Sequence, residues 1–142
     1  MTDINLKGGK LNIEQLNTIF ETIPVEFDFI DENDIIRWSS ANHHRLFKRT
    51  DADLGKHVLE VHPGHSQSHV KQVLHDMHSG DRDSISIMIK HHGQPVNIAF
   101  YALRDDQNNY LGCVEVTQDV SKQQTKGSFW RNIMQVLRKN KH

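Results

Sequence analysis

Cysteine is almost missing from this chain of 142 residues: Cys113 stands alone, so no intramolecular disulfide can form and a reducing compartment is consistent. Long hydrophobic runs are missing too. No stretch approaches the roughly 20 apolar residues that cross a bilayer, and Met1 to Lys10 lacks the apolar core of a signal peptide. These absences predict a cytoplasmic protein without membrane contact. An excess of either charge is also lacking, with 17 Lys and Arg against 18 Asp and Glu. Without a global field to draw in a polyanion, nucleic acid is not an expected partner. No Gly-rich phosphate loop occurs, because Gly8-Gly9 precedes no expected strand, and no serine sits in a nucleophile elbow.

What is present suffices for one domain. The apolar fraction of 36% falls in short periodic runs, enough for a single core. Histidine is abundant at 11 residues, and its ordinary pKa near 6.5 means that mild acidification adds positive charge.

Leu11, Ile13, Leu16, Ile19, Phe20 and Ile23 recur at three- and four-residue spacing, the stripe of an amphipathic helix that Pro24 ends. Val25, Phe27 and Phe29 alternate with other residues, and the turn formers Asp31 to Asp34 lead into Ile35 to Trp38, which reads as a hairpin. Ser39 and Ser40 are placed to cap a short helix carrying Leu46 and Phe47. After Pro63-Gly64, residues Ser66, Val70, Val73, Leu74 and Met77 line one helix face that stops at Ser79-Gly80. Three strands follow, around Ile85–Ile89, Val96–Leu103 and Tyr110–Thr117, and then a second amphipathic stripe at Phe129, Trp130, Ile133, Met134 and Leu137. Two strands pairing with three across a helical segment make an α+β fold: one five-stranded antiparallel sheet with helices on one face.

The motifs Phe29-Ile30-Asp31-Glu32-Asn33-Asp34, Leu54-Gly55-Lys56, His62-Pro63, Ser79-Gly80-Asp81-Arg82-Asp83, Ala102-Leu103-Arg104-Asp105 and Tyr110 to Val120 occur in an order and spacing that resembles a PAS domain. The wording is similar to the PAS domain of bacterial proteins of unknown function that are often fused to a hemerythrin-like domain. This chain reads Val61-His62-Pro63-Gly64 where such relatives often read Cys-His-Pro-Pro, and Ile87-Met88-Ile89 where they carry a tryptophan. The expected organisation is a flexible N-terminus over 1–10, a PAS-like domain with its N-terminal flanking helix over 11–121, and a C-terminal amphipathic helix over 122–142. That last segment has room for a helix and not for a fused partner domain. The resemblance implies a sensor that holds a small molecule or mediates dimerisation and signals through flanking helices to a separate output protein.

Phe27, Phe29, Trp38, Phe47, Met77, Ile87, Ile98, Phe100 and Val114 are the large residues expected between sheet and helices, and any ligand should touch several of them. His62, His65 and His69 form the densest titratable cluster, with His65 and His69 one helical turn apart and able to share a metal ion. Placing Val70, Val73, Leu74 and Met77 inward turns His69 about a quarter turn from the apolar centre, at about 100° per residue, and His65 further round. Solvated histidines are therefore the leading reading. Haem bound through His69 is the sharper alternative, because PAS-type oxygen sensors use a histidine of this helix. A metal-assisted enzyme built on His62, His65 and His69 is the third. The leading reading is a non-catalytic, homodimeric sensory module with no assigned cofactor.

Overall fold

The computed structural model describes residues 2–121 and 126–139. Its centre is a five-stranded antiparallel sheet in the order β4-β3-β7-β6-β5, where β3 is Glu26–Asp31, β4 Ile36–Ser39, β5 Ser84–His91, β6 Gln94–Arg104 and β7 Tyr110–Asp119. The sheet expected from the period-two runs is thus present, with β3 and β7 pairing from Glu26–Thr117 to Asp31–Gly112. Close approach of these strands requires Gly112: its φ is +133°, and a Cβ there would run into the Ile30 carbonyl oxygen.

Helix α2, Gly64–Ser79, follows Pro63 and ends on Gly80 in the left-handed conformation at φ 84°. It crosses one sheet face and buries Val70, Val73, Leu74 and Met77. These join Ile30, Ile36, Val58, Phe100 and Cys113 in the main core cluster. Each such aliphatic side chain contributes about 1.5–3 kcal/mol by leaving water. Cys113 is fully enclosed, and burial pushes its thiol up to about 12, so it is packed as a small apolar group.

The N-terminal residues, expected to be flexible, form a two-stranded hairpin of β1, Asp3–Leu6, and β2, Gly9–Asn12. The reversal runs through Lys7-Gly8, with Gly8 at φ 96°, and Lys7 pairs with Asp106 at 3.2 Å. Leu11 therefore belongs to a strand. Helix α1, Ile13–Thr22, starts one step later because Asn12 caps it: the Gln15 N–H donates to Asn12 Oδ1 at 2.8 Å, and the Asn12 N–H donates to Gln15 Oε1 at 3.0 Å. Pro24 then forces Ile23 into extended backbone.

A second departure lies between Ser40 and Thr50, where the expected short helix is absent. The chain there is irregular and is followed by single turns of 3₁₀ helix at Asp51–Asp53 and Val58–Val61. Helix α3 spans Lys126–Lys139, inside the expected C-terminal segment; the side chains of Phe129 and Trp130 lie outside the described set.

Candidate functional site

The phase of β3 decides what faces α2. Its buried positions are Glu26, Asp28 and Ile30, with Asp31 at the strand end, while Phe27 and Phe29 are half-buried on the opposite face. Phe27 pairs with Val116 and Phe29 with Val114, and α1 lays Phe20 against Phe27 and Trp38 at ring separations of 5.3 and 4.8 Å. Phe27, Phe29, Trp38 and Val114 are therefore on the face away from α2, where α1 covers Phe27 and Trp38, and do not line the space under the long helix where a ligand was expected to touch them. A strand shifted by one position exchanges its faces completely. Met77 is in the core under α2.

Glu26 and Asp28 are kept inside by a dedicated cation. Arg45 donates through Nη2 to both Asp28 oxygens at 3.0 Å and stands 3.7 Å from Glu26. Ser39 adds a hydrogen bond to Asp28, and Glu26 accepts from the Leu46 and Phe47 N–H groups at 2.8 and 3.1 Å. Arg45 also donates to the carbonyls of Ser40 and Phe47, both at 3.0 Å. These contacts satisfy the backbone of the 40–50 segment without helical bonds, which explains the missing helix.

Beside this network, between the start of α2 and the sheet, lies a cavity of about 480 Å³. Its apolar wall is Ile87, Ile89, Ile98 and Phe100 from β5 and β6, closed by Phe47, Val61 and Val70. Asp28, Arg49, His62, Glu115 and Thr117 supply polar groups to the same space. Size and lining are those of a small-molecule pocket: mostly apolar, with a few placed polar groups. Phe47, Ile87, Ile98 and Phe100 are thus the expected residues that line it.

His62 is fixed from two sides. Its Nδ1–H donates to the Val58 carbonyl at 2.8 Å, which leaves Nε2 facing Glu115 Oε2 at 3.7 Å. Burial pulls the imidazole pKa down, but the Glu115 carboxylate and the Val58 carbonyl outweigh it and hold the group above its ordinary range. Arg49, nearby, is treated differently. Among the described residues its Nε is buried with no hydrogen-bond partner, Nη1 makes a long hydrogen bond of 3.4 Å to the Lys48 carbonyl, and, behind the Thr50 N–H, its charge helps to hold the Asp53 carboxyl below the ordinary range.

His65 and His69 are exposed, as helical geometry requires, yet both reach the cavity rim. His62 turns to Glu115 and Val58 instead of joining them. Among the described residues no group of three or more His, Cys, Asp or Glu side chains is placed to share a metal ion, so the three-histidine cluster is not assembled.

Sequence reasoning missed Glu26, Asp28, Arg45, Arg49, Glu115 and Thr117. A signal was there: Glu26 and Asp28 recur at period two beside apolar residues, and Glu115 interrupts the apolar run from Leu111 to Val116. Polar residues in phase on two neighbouring central strands mark a polar patch on one sheet face.

Comparisons with known proteins agree with this geometry. The chain is similar to a C-terminal domain from Streptococcus mutans at 28% identity and a TM-score of 0.78, covering 85% of this chain and 94% of that one. It shares its fold with a sensory box sensor histidine kinase from Vibrio cholerae at 12% identity and TM-score 0.56, covering 75% and 89%. An RNA-binding light-oxygen-voltage receptor matches 100% of this chain with 43% of its own, at 13% identity and TM-score 0.55. The fold therefore occurs in a receptor described as RNA-binding. No curated protein matches the chain significantly, and among the described residues no helix is long and apolar enough to cross a membrane. A family model described as PAS domain matches residues 16–121, and the chain belongs to the PAS domain family.

Proposed function

We propose that this chain is a non-catalytic PAS sensory module that holds a small molecule in the cavity under α2, dimerises through α1 and acts on a separate output protein. The single observation that carries the reading is the cavity itself. About 480 Å³ lined by Ile87, Ile98 and Phe100, with charged side chains at its edge, has the size and lining of a small-molecule site. The dimer rests on α1, which buries none of its own residues and leaves Ile13 and Ile19 47% and 42% exposed. The output contact is assigned to α3, where Met134, Val136 and Leu137 are about half exposed.

Small molecules released on denaturation of the purified protein test the reading, with Ile98→Phe as the variant that fills the cavity. A compound recovered from wild type and not from Ile98→Phe is the expected result. Equal recovery from both moves the binding elsewhere. Recovery from neither, with no response of cavity methyl signals to neutral apolar probes, overturns the reading.

Haem held by His69 is the second reading, favoured by the place of that residue on the cavity rim. Against it, the polar side chains of Asp28, Arg49 and Glu115 line the space the macrocycle would fill. A Soret band that survives purification and is lost in His69→Ala but kept in His75→Ala would establish it.

A further inference from the structure

Glu26, Asp28 and Glu115 share one face of the two central strands, with Asp28 of β3 directly opposite Glu115 of β7 and Glu26 opposite Thr117. Like charges placed across a strand pair repel. Arg45 serves Glu26 and Asp28 together, through hydrogen bonds of 3.0 Å to both Asp28 oxygens and a 3.7 Å contact to Glu26. Glu115 is left to His62, whose Nε2 stands 3.7 Å from Oε2. At that distance attraction persists, but a hydrogen bond does not form. A carboxylate only accepts. Glu115, with its side chain 7% exposed and no hydrogen bond among the described residues, is thus an acceptor on the cavity wall that lacks a donor. Thr117, the next residue along the same face of β7, is buried and lines the same space. Arg49 does not reverse the balance, since its Nε is buried and its charge also acts on Asp53. The remaining wall, Ile87, Ile89, Ile98 and Phe100, suits an apolar body.

We propose that the cavity takes a small uncharged molecule with an apolar body and an N–H or O–H donor at one end, and that Glu115 accepts that donor. The inference rests on the cavity being a ligand site and adds the chemical class. It holds for either state of His62. A charged imidazole stands beside Glu115 without a hydrogen bond to it, and a neutral one leaves the carboxylate uncompensated, so the acceptor is open in both. An acid is disfavoured, because its carboxylate would meet Glu115 and Asp28 out of water. A cation is disfavoured too, since it would contend with His62 for Glu115 and stand near Arg49.

The full chain, with isoleucine methyl groups labelled for NMR, is titrated with two matched sets of probes. One set is phenylacetamide, benzyl methyl ketone and phenylacetate; the other is hexanamide, methyl pentyl ketone and hexanoate. Within a set the shape is constant, and the end group carries an amino group, a methyl group or a charged oxygen. Shifts should centre on Ile87, Ile89 and Ile98. The amide should bind at least about tenfold more tightly than the ketone, the usual worth of a hydrogen bond to a charged group, and the acid more weakly than either. Glu115→Gln keeps an acceptor and loses the charge, so the amide should forfeit most of its advantage and the acid should rise toward the ketone. A ketone or an acid that binds the wild type as tightly as the amide overturns the donor class while the cavity site stands, and so does an amide advantage that Glu115→Gln leaves unchanged. Hexylamine binding more tightly than hexanamide overturns the uncharged ligand. No response to any probe overturns both the class and the cavity site. The wild-type ratios decide the matter even if Glu115→Gln folds poorly.

Discussion

His62 and Glu115 face each other across 3.7 Å inside the domain, one on the segment leading into α2 and the other on the central strand β7. Their contact makes stability depend on pH in a defined direction. Because the folded-state pKa of His62 is raised, its contribution is fully present below the ordinary histidine value of 6.5 and is lost as pH rises through the folded value. The other charged groups on this space are Arg49 and the Asp28–Arg45 pair, and His65 and His69 are exposed at the rim. Urea melts at pH 5.5 and 8.5 should show a larger loss on going alkaline in wild type than in Glu115→Gln. An identical pH response in the two proteins would show the pair to be uncoupled.

Arg45 is the second test of the polar interior. Its side chain is 8% exposed between Glu26 and Asp28, which are 5% and 4% exposed. Removing one partner of a buried ion pair strands the others, so Arg45→Ala should cost about 3–5 kcal/mol in denaturant unfolding. A cost near that of an exposed ion pair, below about 1 kcal/mol, would mean that water already reaches the carboxylates.

Periodicity made the five strands of the main sheet and α2 readable, because burial of Val70, Val73, Leu74 and Met77 imposes a helical spacing that few other structures share. It did not set the phase of β3. That strand is covered on both faces, by α2 and the cavity on one side and by Phe20 of α1 on the other. With Phe27 and Phe29 in one phase and Ile30 in the other, hydrophobicity does not say which face is inner. The deciding partner, Arg45, lies 17 residues from Asp28 in an irregular segment. Arg49 was equally hidden, since an exposed and a cavity-lining arginine look alike in sequence. The N-terminal hairpin was missed for a different reason: Leu11 fits a helical stripe and a strand equally well, and the cap at Asn12 settles it.

Phe100 and Ile98 sit two positions apart on β6 but differ in what their loss removes. Phe100 is 3% exposed in the core cluster, so Phe100→Ala should cost about 3–5 kcal/mol. Ile98 is half-buried against space that is already open, and Ile98→Ala should cost less than half as much. Denaturant midpoints measure both. Equal losses would mean that the cavity is filled by packing in solution.

Gly112 is set by the backbone alone. Gly112→Ala adds one methyl group, yet that methyl meets the Ile30 carbonyl at a φ that L residues rarely adopt. Strain and overpacking together should lower stability by about 2–4 kcal/mol, whereas Gly64→Ala, with open space around it, should be close to neutral. A well-tolerated Gly112→Ala would show that β3 and β7 separate more easily than their six paired positions suggest.

The proposed dimer is tested at α1. Phe20 anchors this ten-residue helix on Phe27 and Trp38, yet none of its residues is fully buried in one copy of the domain. Ile13 and Ile19 remain exposed, and Ile19 shares a shallow open groove with Leu11 and Ile23. Two copies related by a twofold axis would cover those residues with each other. Light scattering at tens of micromolar should give twice the monomer mass, and Ile13→Glu with Ile19→Glu should give monomer with the fold intact by circular dichroism. Mass at the monomer value in wild type, unchanged by the double variant, would assign the stripe to another protein.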